Sequence, residues 1–364
     1  MAKYTPLYVS ERIREWYHNI MAHRYEESTQ NQMEAEMLIQ DMEPDDKVIS
    51  FFTLIKYKHQ LTFENEEVTE NKFEKFKRDT MADSALQLLV YDYAGQSAYY
   101  KGEYMRAISY YQKAEKLLPE ITDVYEKADF YKRLGILFYK IKQNVMASMY
   151  LIKARDIFAD NPFYKLNEVS CKIVLAGISS EGYNFESAEK QYESILAETT
   201  KFVPALQASV LQAMGIHYQR AKKLDKAATY YQEVLQLTGE ISPIILEQSQ
   251  IDLANIYFQQ SKKDEANYLL NKGLDGALTL NDAEYICHGK ALKHLYQEYN
   301  LEKIEIQLQV AEELELYSKA AEIAGDVAEY HKKAGNLDLA LKYTELNSEF
   351  KIKLRTISEE VVTI

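Results

Sequence analysis

The 364-residue sequence predicts an all-α chain, in which an N-terminal three-helix bundle is followed by a right-handed superhelical array of helical hairpins. Three observations lead there. Only 12 Gly and 6 Pro interrupt the whole chain, which favours long helices joined by tight turns. From residue 85 a small residue is followed twelve positions later by Ala, again and again. The first sixty residues keep a different apolar rhythm, so the chain has two kinds of architecture.

The elements follow in order. Thr5-Pro6 opens a first helix, because proline is pre-organised for a helical first turn, and Val9, Ile13, Trp16 and Ile20 form one apolar stripe along it. A second helix is expected from about Glu26 to Asp41, with Met33 and Met37 four apart, and Pro44 enforces a break. A third starts at Asp45-Asp46. Its Val48, Ile49, Phe51, Phe52, Leu54, Ile55 and Tyr57 are too apolar for a helix exposed on one broad side, which makes it the centre of a bundle over residues 1–62. Residues 63–84 are rich in charge and read as a linker with room for a short helix.

The remainder, residues 85–364, repeats. Its clearest copy runs from Gly95 through Ala98, Tyr99 and Gly102 to Ala107, Tyr111, Ala114 and Pro119, and it resembles the tetratricopeptide consensus. The twelve-later alanines, Ala107, Ala147, Ala188, Ala227, Ala266 and Ala340, are separated by 40, 41, 39, 39 and 74 residues. The last step is two units of 37, which places a degenerate repeat between Asn281 and Leu316 and gives about seven repeats. Small side chains recur because two helices of a hairpin can approach closely only where no large side chain stands between them. Stacked hairpins of this kind present an extended groove suited to a peptide or a domain, with Ser180, Gln212, Gln219, Asn255 and Phe258 as inner-wall candidates.

Composition argues against several functions. A net charge of −13 repels phosphate backbones and anionic lipid heads, so neither nucleic acid nor a membrane surface is expected as partner. No window approaches the ~18 apolar residues of a membrane span, and two widely spaced cysteines, Cys171 and Cys287, fit a reducing cytoplasm and buried packing roles. No GxxxxGK[ST], HExxH or GxSxG stretch occurs, and the seven histidines show no ligand spacing, so no metal site and no cofactor of its own are expected.

Local matches then bring in a family. Arg14-Glu15-Trp16-Tyr17, Asp41-Met42-Glu43-Pro44-Asp45-Asp46 with Phe51-Phe52-Thr53-Leu54 and Tyr57-Lys58-His59, and Tyr125-Glu126-Lys127-Ala128-Asp129-Phe130 resemble motifs of the Rap family, response-regulator phosphatases and inhibitors of spore-forming bacteria. The resemblance covers essentially the whole chain. It implies a clamp that captures a bacterial response regulator and is controlled by a Phr-type signalling pentapeptide in the repeat groove. Some members also remove the regulator's aspartyl phosphate with an inserted Gln; the phosphoaspartate and its magnesium would then belong to the partner.

The resemblance maps that Gln onto Asp46, beside Asp45, and the regulator contacts of the third helix onto Ile49 and Tyr57. A carboxylate only accepts hydrogen bonds and is repelled by phosphoryl oxygens, whereas an amide both donates and accepts. Members lacking the Gln block a DNA-binding regulator by capture, so inhibition with or without dephosphorylation stays open. The peptide site is expected at Ile178, Glu181 and Ala213, to which the resemblance points, together with the inner-wall candidates Gln212, Gln219 and Asn255. Ile178, Glu181 and Ala213 replace an Asn, an Asp and an Asn that are frequent in the family, so either the peptide differs or its control is lost. Competing expectations are a peptide-controlled transcription regulator and a general repeat scaffold. Against the former, residues 1–62 carry seven basic and ten acidic side chains, net −3, the wrong sign for a DNA-binding domain.

Overall fold

The computed structural model describes residues 4–64, 70–80, 83–199, 204–238 and 241–362, and eighteen α-helices occupy most of them. The extended structure among the described residues is one isolated bridge, Tyr4 with Met42, in which the chain before the first helix pairs with the loop before the third.

The bundle consists of α1 (Pro6–Met21), α2 (Tyr25–Gln40) and α3 (Asp46–His59). Thr5 caps α1 by accepting from the Tyr8 amide, and Asp45 caps α3 by accepting from the Val48 amide at 2.9 Å. The α1 stripe Val9, Ile13, Trp16 and Ile20 is fully buried. Met33 and Met37 lie exposed on the outer face of α2, which buries Ser28, Ala35 and Leu38 instead. One polar tripod ties the three helices. The Trp16 indole N–H donates to Ser28 Oγ (3.1 Å) and His59 Nδ1 (3.2 Å), and Ser28 Oγ lies 2.9 Å from the same Nδ1. All three residues are buried, so the network fixes which helix faces meet.

Beyond a π turn at Gln60–Glu64, residues 65–69 and 81–82 of the expected linker lie outside the described residues. Between them α4 (Glu70–Asp79) turns Phe73 inward against Tyr110, with ring centroids 5.1 Å apart.

Seven hairpins follow: α5 (Ser84–Tyr100) with α6 (Tyr104–Glu115), α7 (Val124–Lys140) with α8 (Asn144–Ala159), α9 (Lys165–Glu181) with α10 (Phe185–Thr199), α11 (Pro204–Arg220) with α12 (Leu224–Gln236), α13 (Pro243–Gln259) with α14 (Lys263–Leu280), α15 (Ala283–Lys293) with α16 (Leu301–Glu313), and α17 (Tyr317–Lys333) with α18 (Leu337–Val362). The degenerate repeat is the sixth, whose first helix ends in a π turn at His294–Glu298. The other six first helices are each 17 residues long.

The recurrent small residues sit at the crossings. A Cβ added at Gly95 would lie 2.7 Å from the Tyr111 ring, at Gly135 2.6 Å from Leu151, and at Gly215 2.6 Å from the Tyr231 ring. In six of the seven hairpins the turn bends through one left-handed residue: Gly102, Lys142, Tyr183, Lys222, Ser261 and Gly335 have φ between 57° and 78°. These positions are spaced by the same 40, 41, 39, 39 and 74 residues as the alanines.

The chain divides into two compact units, Met1–Phe138 with Val145–Cys171, and Tyr139–Asn144 with Lys172–Ile364. The first contains the bundle together with the first hairpin and most of the second. There Tyr57 packs against Phe76 and Tyr93, and His18 hydrogen-bonds the Tyr164 hydroxyl at 2.5 Å and contacts Asp123 at 3.1 Å. The second unit is built from the later hairpins, around cores such as Ala208, Leu211 and Val234.

Candidate functional site

Two sets of residues were marked by the sequence, and each lies within a single unit. On the bundle, Asp45 is consumed as the cap of α3, while Asp46, its first helical residue, is exposed. A carboxylate at that position also complements the positive end of the helix dipole. Ile49 is 44% exposed one turn on. Next to it Thr53 is exposed, its hydroxyl donating to the Ile49 carbonyl at 2.8 Å. Asp46, Ile49 and Thr53 are spaced three and four apart, so they share one outward face. Tyr57 does not join them. It is 3% exposed and belongs to the aromatic core that joins α3 to α4 and α5, because the face of α3 toward those helices must be apolar. A direct partner contact by Tyr57 therefore requires that core to open.

On the repeats, Ile178, Glu181, Gln212, Ala213 and Gln219 are half-buried, while Ser180, Asn255 and Phe258 are buried. Glu181 accepts from Lys142 Nζ (2.6 Å), Arg220 Nη2 (2.9 Å) and Asn144 Nδ2 (3.4 Å). Burial raises its pKa, but the two cations beside it win and hold it below the ordinary carboxylate value. Two cations against one carboxylate leave this cluster with net positive charge. Gln212 donates to Gln248 Oε1 (3.0 Å), and Gln248 donates to Asp282 (2.8 Å), an amide chain linking α11, α13 and the start of α15. Gln219 accepts from the Tyr231 hydroxyl at 3.1 Å. Asn255 is fully enclosed, donating to Asp326 (2.9 Å) and accepting from Gln259 (3.3 Å). Its amide is thus spent inside the fold, and Phe258 stacks on Tyr296 as a core ring.

A buried charged network in the second unit escapes any linear reading of the chain. Lys319 lies 2.6 Å from Glu322, His288 Nε2 lies 2.9 Å from Asp326, and the Tyr285 hydroxyl donates to Asp252 at 3.0 Å. Asp252, His288 and Glu322 each bring one ligand atom within 4.8 Å of the others, the spacing a metal ion requires. Lys319, buried in the same cluster, already supplies its positive charge, which disfavours a cation there. Burial works against a charged His288, yet the neighbouring Glu322 and Asp326 carboxylates raise its pKa above the ordinary value. The three ligand residues come from α13, α15 and α17, so no linear spacing could show them. Their only trace is charge at core-facing helical positions. Both cysteines are buried thiols, with the Cys171 thiol pushed up to about 12 by burial.

An aromatic three-helix bundle joined to a run of helical hairpins defines a helical-repeat protein with a separate N-terminal bundle. Comparison with known proteins narrows this. Residues 4–64 match the model of the N-terminal part of response regulator aspartate phosphatase H. Response regulator aspartate phosphatase E of Bacillus subtilis (strain 168) is 29% identical over 81% of this chain and 82% of its own length. A type II methyltransferase, M.CeqI, of Rhodococcus hoagii is 30% identical over 98% of this chain and 70% of its own length. The crystal structure of a Rap protein complexed with competence and sporulation factor superposes with a TM-score of 0.83 at 21% identity, covering 96% of this chain and 99% of that one. The chain belongs to the Rap family. Among the described residues, no helix is long and apolar enough to cross a membrane.

Proposed function

We propose that this chain binds a bacterial response regulator in the cytoplasm through the exposed N-terminal face of α3 and inhibits it by capture, under the control of a short signalling peptide held by the repeats. One observation carries the reading. The segment that matches the family's N-terminal model is a three-helix bundle that leaves Asp46, Ile49 and Thr53 outward while α3 buries Val48, Leu54, Ile55, Tyr57, Lys58 and His59. Asp46 favours capture over hydrolysis, because an exposed carboxylate repels a phosphoryl group and cannot donate a hydrogen bond to it. Any magnesium would sit in the regulator.

The peptide site is expected around Glu181, Gln212, Ala213 and Gln219, where the half-buried side chains lie. The cationic cluster at Lys142 and Arg220 favours a ligand with an acidic group at that end. Mixing the purified chain with phosphorylated response regulators tests the whole reading, since loss of phosphate and release of regulator from DNA without loss of phosphate are separate readouts. Capture predicts the second. Asp46→Gln should then speed dephosphorylation at least tenfold; an unchanged rate with binding intact would remove Asp46 from the site, and no binding to any regulator would end the proposal.

A further inference from the structure

A cavity of about 230 Å³ opens between the bundle and the first hairpins, inside the first compact unit and away from the outer face of α3. Lys58 of α3 lines it and is only 2% exposed. Such a lysine normally survives burial by pairing with a carboxylate. Here its ammonium meets a neutral amide, donating to Gln96 Oε1 at 2.6 Å, and the face of the Tyr93 ring at 5.0 Å.

The acids nearby are already committed. Arg133 donates through Nε and Nη2 to the two oxygens of Asp92, at 2.9 and 2.6 Å, and through Nη1 to Asp129. Lys132 lies 2.9 Å from the other Asp129 oxygen. Three buried cations therefore face two buried carboxylates, and the surplus charge is that of Lys58. Burial, with Arg133 beside it, lowers the Lys58 pKa to about 7, which is how an ammonium responds when its counter-charge is missing.

A second group awaits a partner in the same cavity. The Thr62 hydroxyl oxygen is enclosed and has no hydrogen-bond partner among the described residues. Ile20, Met21 and Ile136 add hydrocarbon to the lining, which also includes the exposed His23 and Tyr100.

We infer that this cavity is a binding site for a small organic carboxylate, whose anionic head pairs with Lys58 and Thr62 and whose apolar tail lies on Ile20, Met21 and Ile136. One surplus positive charge calls for one negative charge, and the mixed walls call for an amphiphilic molecule instead of a bare inorganic ion. The cavity has room for roughly seven waters, hence for about as many heavy atoms. Because Lys58 comes from the end of α3 and Thr62 from the π turn that follows it, while Gln96 and Ile136 come from α5 and α7, an occupant would fasten the bundle to the first two hairpins.

The test is calorimetric titration of the full chain with isovalerate, with its uncharged amide isovaleramide and with inorganic phosphate. Isovalerate should bind one to one, at least tenfold more tightly than isovaleramide and more tightly than phosphate. Lys58→Met, which keeps the length and volume of the side chain, should abolish binding while leaving the helical circular dichroism intact. Thr62→Val should weaken it several-fold, and it carries the test if Lys58→Met does not fold. Equal affinity for the amide, undiminished binding by either variant, or no binding of isovalerate overturns the site. Tighter binding of phosphate overturns the carboxylate assignment.

Discussion

Gly215→Ala is a direct probe of why this chain repeats. In an ordinary helix interior the change stabilises by about 1 kcal/mol, because alanine gives up less backbone entropy than glycine. Here the new Cβ would stand 2.6 Å from Cε1 and 2.7 Å from Cζ of Tyr231, well inside the 3.4 Å at which ordinary contact begins. The ring cannot easily retreat. Tyr231 is fully buried and its hydroxyl is held by Gln219 at 3.1 Å. Overpacking of this sort costs about 1–3 kcal/mol, so the net effect after the propensity gain should be a loss of up to about 2 kcal/mol. Urea unfolding followed by circular dichroism reads this as a lower midpoint. The double variant Gly215→Ala/Tyr231→Leu separates crowding from everything else. Relative to Tyr231→Leu alone, alanine should then be neutral or stabilising. Stabilisation by Gly215→Ala in the unaltered chain would refute the crossing argument.

At the left-handed turn residues Lys222 and Ser261, substitution by Gly should raise stability by about 0.5–1 kcal/mol in the same urea assay, since a side chain is strained there and glycine is not. In the bundle, Ser28→Ala should lose about 1 kcal/mol and Trp16→Phe should lose more, because the latter removes the donor shared by Ser28 and His59 as well as buried volume. Two buried groups should give opposite pH slopes. Glu247 is pushed up to about 9 by burial and by Asp282, so its folded form keeps a proton that the unfolded chain has lost. Stability should fall from about pH 4.5 to 9, and Glu247→Gln should flatten that fall. Lys58, lowered to about 7, sheds its proton in the folded state first. Its penalty is complete below pH 7 and vanishes by about 10.5, so stability rises across that window and Lys58→Met should remove the rise.

Periodic side chains were enough to locate the hairpins. The alanine steps and the left-handed turns share one spacing, because a crossing and the turn that sets it up are fixed by the same local geometry. The α1 stripe was legible for a similar reason: burial on one face of a helix is written at intervals of three and four residues. The α3 stripe was only half legible. Its periodicity showed a helix that must be covered, but not that Ile49 faces out while Tyr57 faces Phe76 and Tyr93.

What the sequence determined by itself is therefore local: helices, their caps and turns, the small residues where they cross, and the rhythm that separates the first sixty residues from the rest. Only the tertiary structure decided which polar groups were spent inside the fold. Asn255, a groove candidate by its repeat position, has its amide held by Asp326, 71 positions away, and the surplus charge of Lys58 arises only because Arg133 takes both nearby carboxylates. Charge balance in a low-dielectric interior is a sum over side chains from distant repeats, and no local pattern in the chain encodes that sum.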